Sequence, residues 1–182
     1  MNDSSGLALV APQVTPALDD AFRPAALANR AFRAAVRATG AALPVVLALE
    51  QADGSVFHFA TEIFPASHAG AAGNFTYVER LVKFLLWSRG GGRLHFAGPR
   101  ELATRLQAHF RETPTGRFDS NLIGERVFDR PIAVLATDAA GLPPARARTQ
   151  PLGRHLDGCR IGFDLGGSDR KVAAVMDGRV VF

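Results

Sequence analysis

Apolar and polar positions recur along this chain in patterns that sort it into strands, helices and turns. The clearest strand signal lies over residues 43–63. Residues 44–49 form an apolar run, Asp53-Gly54 is a tight-turn pair, and Val56-Phe57-His58-Phe59-Ala60 alternates, which predicts a β-hairpin. His58 stands between two phenylalanines and is expected on the opposite, solvent-facing side, with no partner that would make it catalytic. The strongest helix signal follows a small-residue loop over 65–73. Phe75, Val78, Leu81, Val82, Leu85 and Leu86 recur at intervals of three and four, the stripe of a core-facing helix. Thr76-Tyr77-Val78-Glu79 fits a capping box, with Asn74 as an alternative cap. Gly90-Gly91-Gly92 is expected to stop that helix as a flexible connection, because phosphate-cradling glycines precede a helix rather than follow one.

Weaker signals complete the order. Residues 21–39 read as an Ala-rich helix stopped by Gly40. Phe22, Ala26, Arg30 and Arg33 mark one side of it, and Leu27, Ala31, Ala35 and Ala38 another. Residues 93–97 read as a short strand, and Pro99 opens a further helix with Leu102, Leu106 and Phe110 at four-residue spacing. Residues 113–121 are turn-rich, and the apolar run 132–136 reads as a strand. Pro143, Pro144 and Pro151, with Arg146 and Arg148, make 139–153 the best linker candidate. The expected organisation is a flexible tail over 1–20, a mixed, layered α/β extension domain over 21–138, the linker, and a final β-rich segment over 154–182.

Composition narrows the class. Of 182 residues, 47% are hydrophobic and 21% charged, enough to bury a core in a soluble, cytoplasmic globular protein. No apolar run approaches the roughly 18 residues of a membrane helix, and the N-terminus lacks the basic start of a secretory signal. The net charge of +4 is compatible with an anionic partner. Arg30, Arg33 and Arg37 lie near one another at helical spacing, as a solvated face or an anion contact. The single Cys159 excludes an intramolecular disulfide and a multi-cysteine zinc site. His58, His68, His95, His109 and His155 lack metal-ligand spacing. Cys159 has only His155 as a nearby sequence partner, which favours an inert thiol. Glu112, Asp119 and Glu125 are scattered carboxylates in turn-rich sequence, and neither a nucleophile elbow nor a Walker loop is present.

The chemistry concentrates at the end of the chain. Residues 160–182 read as strand, Asp-x-Gly-Gly-Ser turn, strand, Asp-Gly turn and the start of a third strand. Gly166 and Gly167 allow backbone N–H groups to approach phosphate oxygens without an intervening Cβ. Ser168 adds a hydroxyl donor. Asp164 can hold Mg²⁺ directly or through water, since a hard cation takes oxygen ligands. Lys171 or Arg170 would offset phosphate charge, and the strand register decides which. A plain β-meander is the alternative, but it leaves the coincidence of Asp164, both glycines, Lys171 and the Asp177-Gly178 turn unexplained.

Residues 161–182 resemble the N-terminal phosphate-binding motif of the ROK family, which comprises bacterial sugar kinases, including glucokinases, and related repressors. More narrowly, Asp157-Gly158-Cys159-Arg160-Ile161-Gly162-Phe163-Asp164-Leu165-Gly166-Gly167-Ser168-Asp169-Arg170-Lys171 resembles a ROK subgroup with a long N-terminal extension. The resemblance implies the first β-hairpin of an actin-like ATPase (ribonuclease H-like) domain beginning near residue 154, with ATP and Mg²⁺ held between two lobes. Asp164, Gly166, Gly167, Ser168 and Lys171 would line the phosphates. Ser168 stands where the family has threonine and keeps the hydroxyl. The family's aspartate base, sugar-binding residues, second phosphate loop, adenosine pocket and Cys/His zinc cluster lie downstream of this motif, beyond Phe182.

The resulting expectation is the truncated N-terminal portion of an ATP-dependent sugar kinase, inactive by itself, because phosphoryl transfer needs several parts acting together. Nucleotide and sugar are its expected ligands in the intact protein, with a homo-oligomer or a complementing chain as partner and no membrane. A ROK-type repressor fragment fits poorly: one Ala-rich helix precedes the hairpin, in place of a winged helix, so nucleic acid is disfavoured. The third expectation is an independent α/β binding or oligomerisation module with a vestigial tail.

Overall fold

A computed structural model of the chain describes residues 6–148 and 157–182. These belong to two compact units, the first ending at Arg148. In the first unit the hairpin pattern becomes β1 (Leu43–Glu50) and β2 (Val56–Ile63), antiparallel and in register from Leu43↔Ile63 to Glu50↔Val56. β3 (Arg93–Ala97) pairs antiparallel with the other side of β1, and β4 (Ala133–Thr137) adds parallel to β3. The sheet order is therefore β2-β1-β3-β4. Parallel neighbours need a long crossover. Here it carries α3 (Arg100–Glu112), α4 (Pro114–Asp119) and a π-helical segment, Ser120–Val127.

Alternation decides which face is buried. Val45, Leu47 and Leu49 of β1, with Leu94 and Phe96 of β3, are fully buried beneath α1 (Ala25–Ala38), α2 (Asn74–Arg89) and α3. α2 buries Tyr77, Val78, Leu81, Val82, Leu85 and Leu86, the stripe expected from the sequence with Tyr77 in the place of a half-buried Phe75. α3 buries Leu102, Leu106 and Phe110 as the spacing predicts. Aromatic stacking ties the layers: the Phe32 ring lies 4.1 Å from Tyr77 and meets Phe64 edge-on at 5.2 Å. The mixed α/β class is as expected, and no described helix is long and apolar enough to cross a membrane.

Local expectations differ from the structure at five places, each for a packing reason. α1 starts after Pro24 rather than at 21, and its buried face is Ala28, Phe32 and Val36, because Phe32 and not the alanine rows meets Tyr77. α2 starts at Asn74, so Thr76 lies inside it and no capping box forms. The Asn74 amide instead brackets Phe64, accepting from its N–H and donating to its carbonyl. Residues 114–121, read as turns, are helical, and the helical stretch runs on to Val127: Thr113 accepts from the Gly116 N–H and Pro114 occupies the first helical position, a helix start that propensity alone conceals. The glycines after α2 are packed rather than loose. A Cβ on Gly91 would stand 2.5 Å from the Glu50 carbonyl oxygen, and φ there is +110°. The N-terminal tail is anchored at Leu7, which is 4% exposed within the core.

The Tyr77 hydroxyl shares a 2.6 Å hydrogen bond with Thr61 inside this core. Burial pushes its ionisation above the ordinary phenol range, against the Thr61 hydrogen bond. A folded-state value above the unfolded one means stability is intact below about pH 10 and falls as the pH rises from there toward the folded value. The Tyr77→Phe variant is expected to lose about 1 kcal/mol at pH 7 and to lack that part of the alkaline decline, measured by urea unfolding between pH 7 and 11.

Candidate functional site

The second unit consists of three short antiparallel strands. β5 (Cys159–Leu165), β6 (Arg170–Met176) and β7 (Arg179–Val180) lie in the order β5-β6-β7. Asp177 and Gly178 join β6 to β7 with φ of 47° and 80°, the left-handed pair that a tight hairpin demands. Gly166-Gly167-Ser168-Asp169 joins β5 to β6, closed by the Gly166 N–H donating to the Asp169 carbonyl at 3.0 Å.

Register settles which cation stands beside Asp164. Asp164 pairs with Lys171 and Leu165 with Arg170. Directly paired residues share a face, so Lys171 stands beside Asp164 while Arg170 falls on the side of Leu165, Phe163 and Ile161. The Lys171 ammonium lies 3.6 Å from Asp164 Oδ2 and 3.1 Å from Asp169 Oδ2. All three side chains are more than half exposed, so each pair contributes only about 0–1 kcal/mol and exchanges readily for another charged group. The opposite face carries Ile161, Phe163 and Leu165, each at least 67% exposed.

The two glycines play different parts. The Gly166 amide is occupied within the turn, and a Cβ there would stand 2.8 Å from Asp169 Oδ1. A Cβ on Gly167 would meet nothing within 4 Å, so Gly167 and Ser168 form the open tip. Neither glycine has a positive φ. Their value is room for close approach rather than an unusual backbone conformation. The arrangement brings together a carboxylate, an ammonium, a hydroxyl and an unobstructed stretch of backbone. Oxygen ligands of this kind suit a hard divalent cation, and the ammonium suits a phosphate oxygen. Among the described residues no three His, Cys, Asp or Glu side chains gather as a metal site. A Mg²⁺ at Asp164 would draw its other ligands from phosphate and water.

The remaining sequence candidates fall elsewhere. His58 Nε2 lies 2.7 Å from the Pro143 carbonyl, His95 Nε2 3.2 Å from Glu50, and His109 Nε2 3.4 Å from Glu79. His155 lies outside the described residues, and Cys159 is an exposed free thiol. Arg37 is engaged by Glu62 at 2.7 Å, which raises its pKa further. Glu112 and Glu125 remain on the surface. Asp119 does not: it is fully buried, 3.0 Å from the Lys83 ammonium and 3.3 Å from the Trp87 indole N–H. It pins α4 to α2. The single signal for it in the sequence, a carboxylate beside Phe118 in a stretch read as turns, gave no hint of burial.

This pair is asymmetric, because Lys83 keeps access to water while Asp119 does not. The Lys83→Met variant strands a buried carboxylate and is expected to cost about 3 kcal/mol. Asp119→Asn is expected to cost clearly less, both measured by urea denaturation at pH 7. Scans of the chain against protein-family models, curated proteins and solved structures return no match.

Proposed function

We propose that residues 157–182 are the first phosphate-binding hairpin of a ROK-type sugar kinase, and that the Gly167-Ser168 tip takes the phosphates of ATP with Mg²⁺. The observation that carries this reading is the register of β5 and β6, which sets Asp164 and Lys171 on one face next to that tip. Asp164 would hold the cation, directly or through water. Lys171, released from Asp169, would offset phosphate charge, while the Ser168 hydroxyl and the backbone at Gly167 donate to phosphate oxygens.

The hairpin binds and orients; it does not transfer. Phosphoryl transfer requires a positioned acceptor and charge stabilisation on several sides. In kinases of this type the aspartate base, sugar pocket and adenosine site are supplied by other segments, so the part read for this hairpin is to hold the phosphates. A second reading, in which residues 6–148 act as a separate α/β binding module, is favoured by one observation: this unit has a continuous core of its own, from Leu7 to Val134.

Titration of the ¹⁵N-labelled chain with Mg²⁺–ATP tests the first reading. Amide shifts are expected at 164–171, with half-saturation above about 0.1 mM, an affinity a single phosphate turn can supply. They are expected to vanish in the Asp164→Asn, Lys171→Met double variant. Sub-micromolar affinity, or shifts that spare the turn, would overturn it.

A further inference from the structure

At the outer edge of the four-stranded sheet, a cleft of about 550 Å³ is lined by Asp53, Ser55, Phe57, Arg89, Arg146 and Arg148, among others. Its three arginines come from two separate places in the chain. Arg89 ends α2, and its guanidinium lies 3.9 Å over the Phe57 ring. Arg146 and Arg148 belong to the segment after β4, where Arg146 forms a β-bridge with Val56, N–H to carbonyl in both directions at 2.8 and 3.0 Å. That bridge fixes the backbone from which both side chains project.

The side chains then converge. Arg146 donates from Nε and Nη2 to the Gly54 carbonyl. A Cβ placed on Gly54 would fall within 4 Å of the guanidinium groups of both Arg146 and Arg148. The Arg148 N–H donates to the Ser55 hydroxyl, which donates to Asp53. The Ser55 backbone N–H also donates to Asp53 at 2.8 Å. These donations, with Arg148 nearby, hold the Asp53 carboxyl below its usual range. Among the described residues Asp53 is the one acidic side chain lining the cleft, set against three arginines.

Among the described residues three arginines and one carboxylate line the cleft, a surplus of positive charge that an anion would relieve. Guanidinium also presents paired N–H donors that match phosphate oxygens better than a point charge does. The size lies within the range of small-molecule sites. We propose that this cleft binds a small phosphorylated ligand carrying at least two negative charges. The lining residues all belong to the first unit, and the proposal does not rest on the kinase reading.

The test uses inorganic pyrophosphate as probe on the full chain at low salt, followed by calorimetry and by amide shifts. Saturable binding is expected, with shifts at Ser55, Phe57 and Arg146. The Arg89→Gln, Arg148→Gln double variant is expected to weaken it by about tenfold or more, as the loss of charge-assisted hydrogen bonds predicts. Arg148→Gln alone leaves the Arg146 bridge and Gly54 contact in place, and its thermal midpoint checks that folding is unchanged. Asp164→Asn is expected to leave pyrophosphate affinity at the cleft unaltered. Absence of saturation by about 10 mM, equal response to sulfate and citrate (an adventitious ion only), or indifference to the arginine substitutions would each overturn the proposal.

Discussion

One face of a four-stranded sheet must be shielded from water, and the rest of the first unit follows from how that is done. The inward residues of β1 and β3 are covered by α1, α2 and α3, with the α2 stripe at the centre of the core. Burying such large apolar side chains stabilises by roughly 1.5–3 kcal/mol each, far more than any ion pair on this surface. Two buried polar side chains are held by partners: Tyr77 by Thr61, and Asp119 by Lys83 and Trp87. The packing demand also explains residue choices that look wasteful in sequence. Gly91 lies against Glu50, and Gly116 against the His109 carbonyl, where any side chain would collide with backbone.

The second unit is governed by a smaller constraint, the pairing of seven residues between β5 and β6. A slip of one position would move Asp164 to the other face and separate it from Lys171. The apolar side chains Ile161, Phe163 and Leu165 also stand on a single face because of this register. The same pairing therefore produces both a polar, phosphate-suited side and an apolar side. A three-stranded sheet of this size gains little from its own contacts, so its chemistry depends on turn geometry rather than on a deep pocket.

Both proposed sites would draw on charged side chains held loosely enough to exchange partners. Lys171 sits between two exposed carboxylates. Arg146 forms a β-bridge that also fixes the backbone leading to Arg148, and Asp53 is the acidic residue lining the cleft among the described residues. In each case the backbone is fixed by strand pairing while the charged termini face solvent. That combination limits the ordering cost of taking up an anion. Segment 139–148, read from its prolines as part of a linker, is what supplies the second cleft. Prolines mark where regular structure stops, but they do not exclude a single bridge to a sheet edge.

Elements whose signals are local could be read directly from the order of residues. The hairpin at 43–63, the α2 stripe, the four-residue spacing of α3 and the Asp-Gly turns at 53–54 and 177–178 were legible because periodicity and turn chemistry act over a few residues. The Asp-x-Gly-Gly-Ser turn was legible for the same reason. The remaining features follow from packing between distant segments. Tertiary structure set Lys171 rather than Arg170 beside Asp164, made helix of the turn-rich stretch from 114 to 121, buried Asp119, and moved the core face of α1 to Ala28, Phe32 and Val36. It also brought Arg89 to Arg146 and Arg148, more than fifty positions away in the chain. Each of these depends on a partner distant in sequence, and contacts between distant residues leave no trace in local pattern.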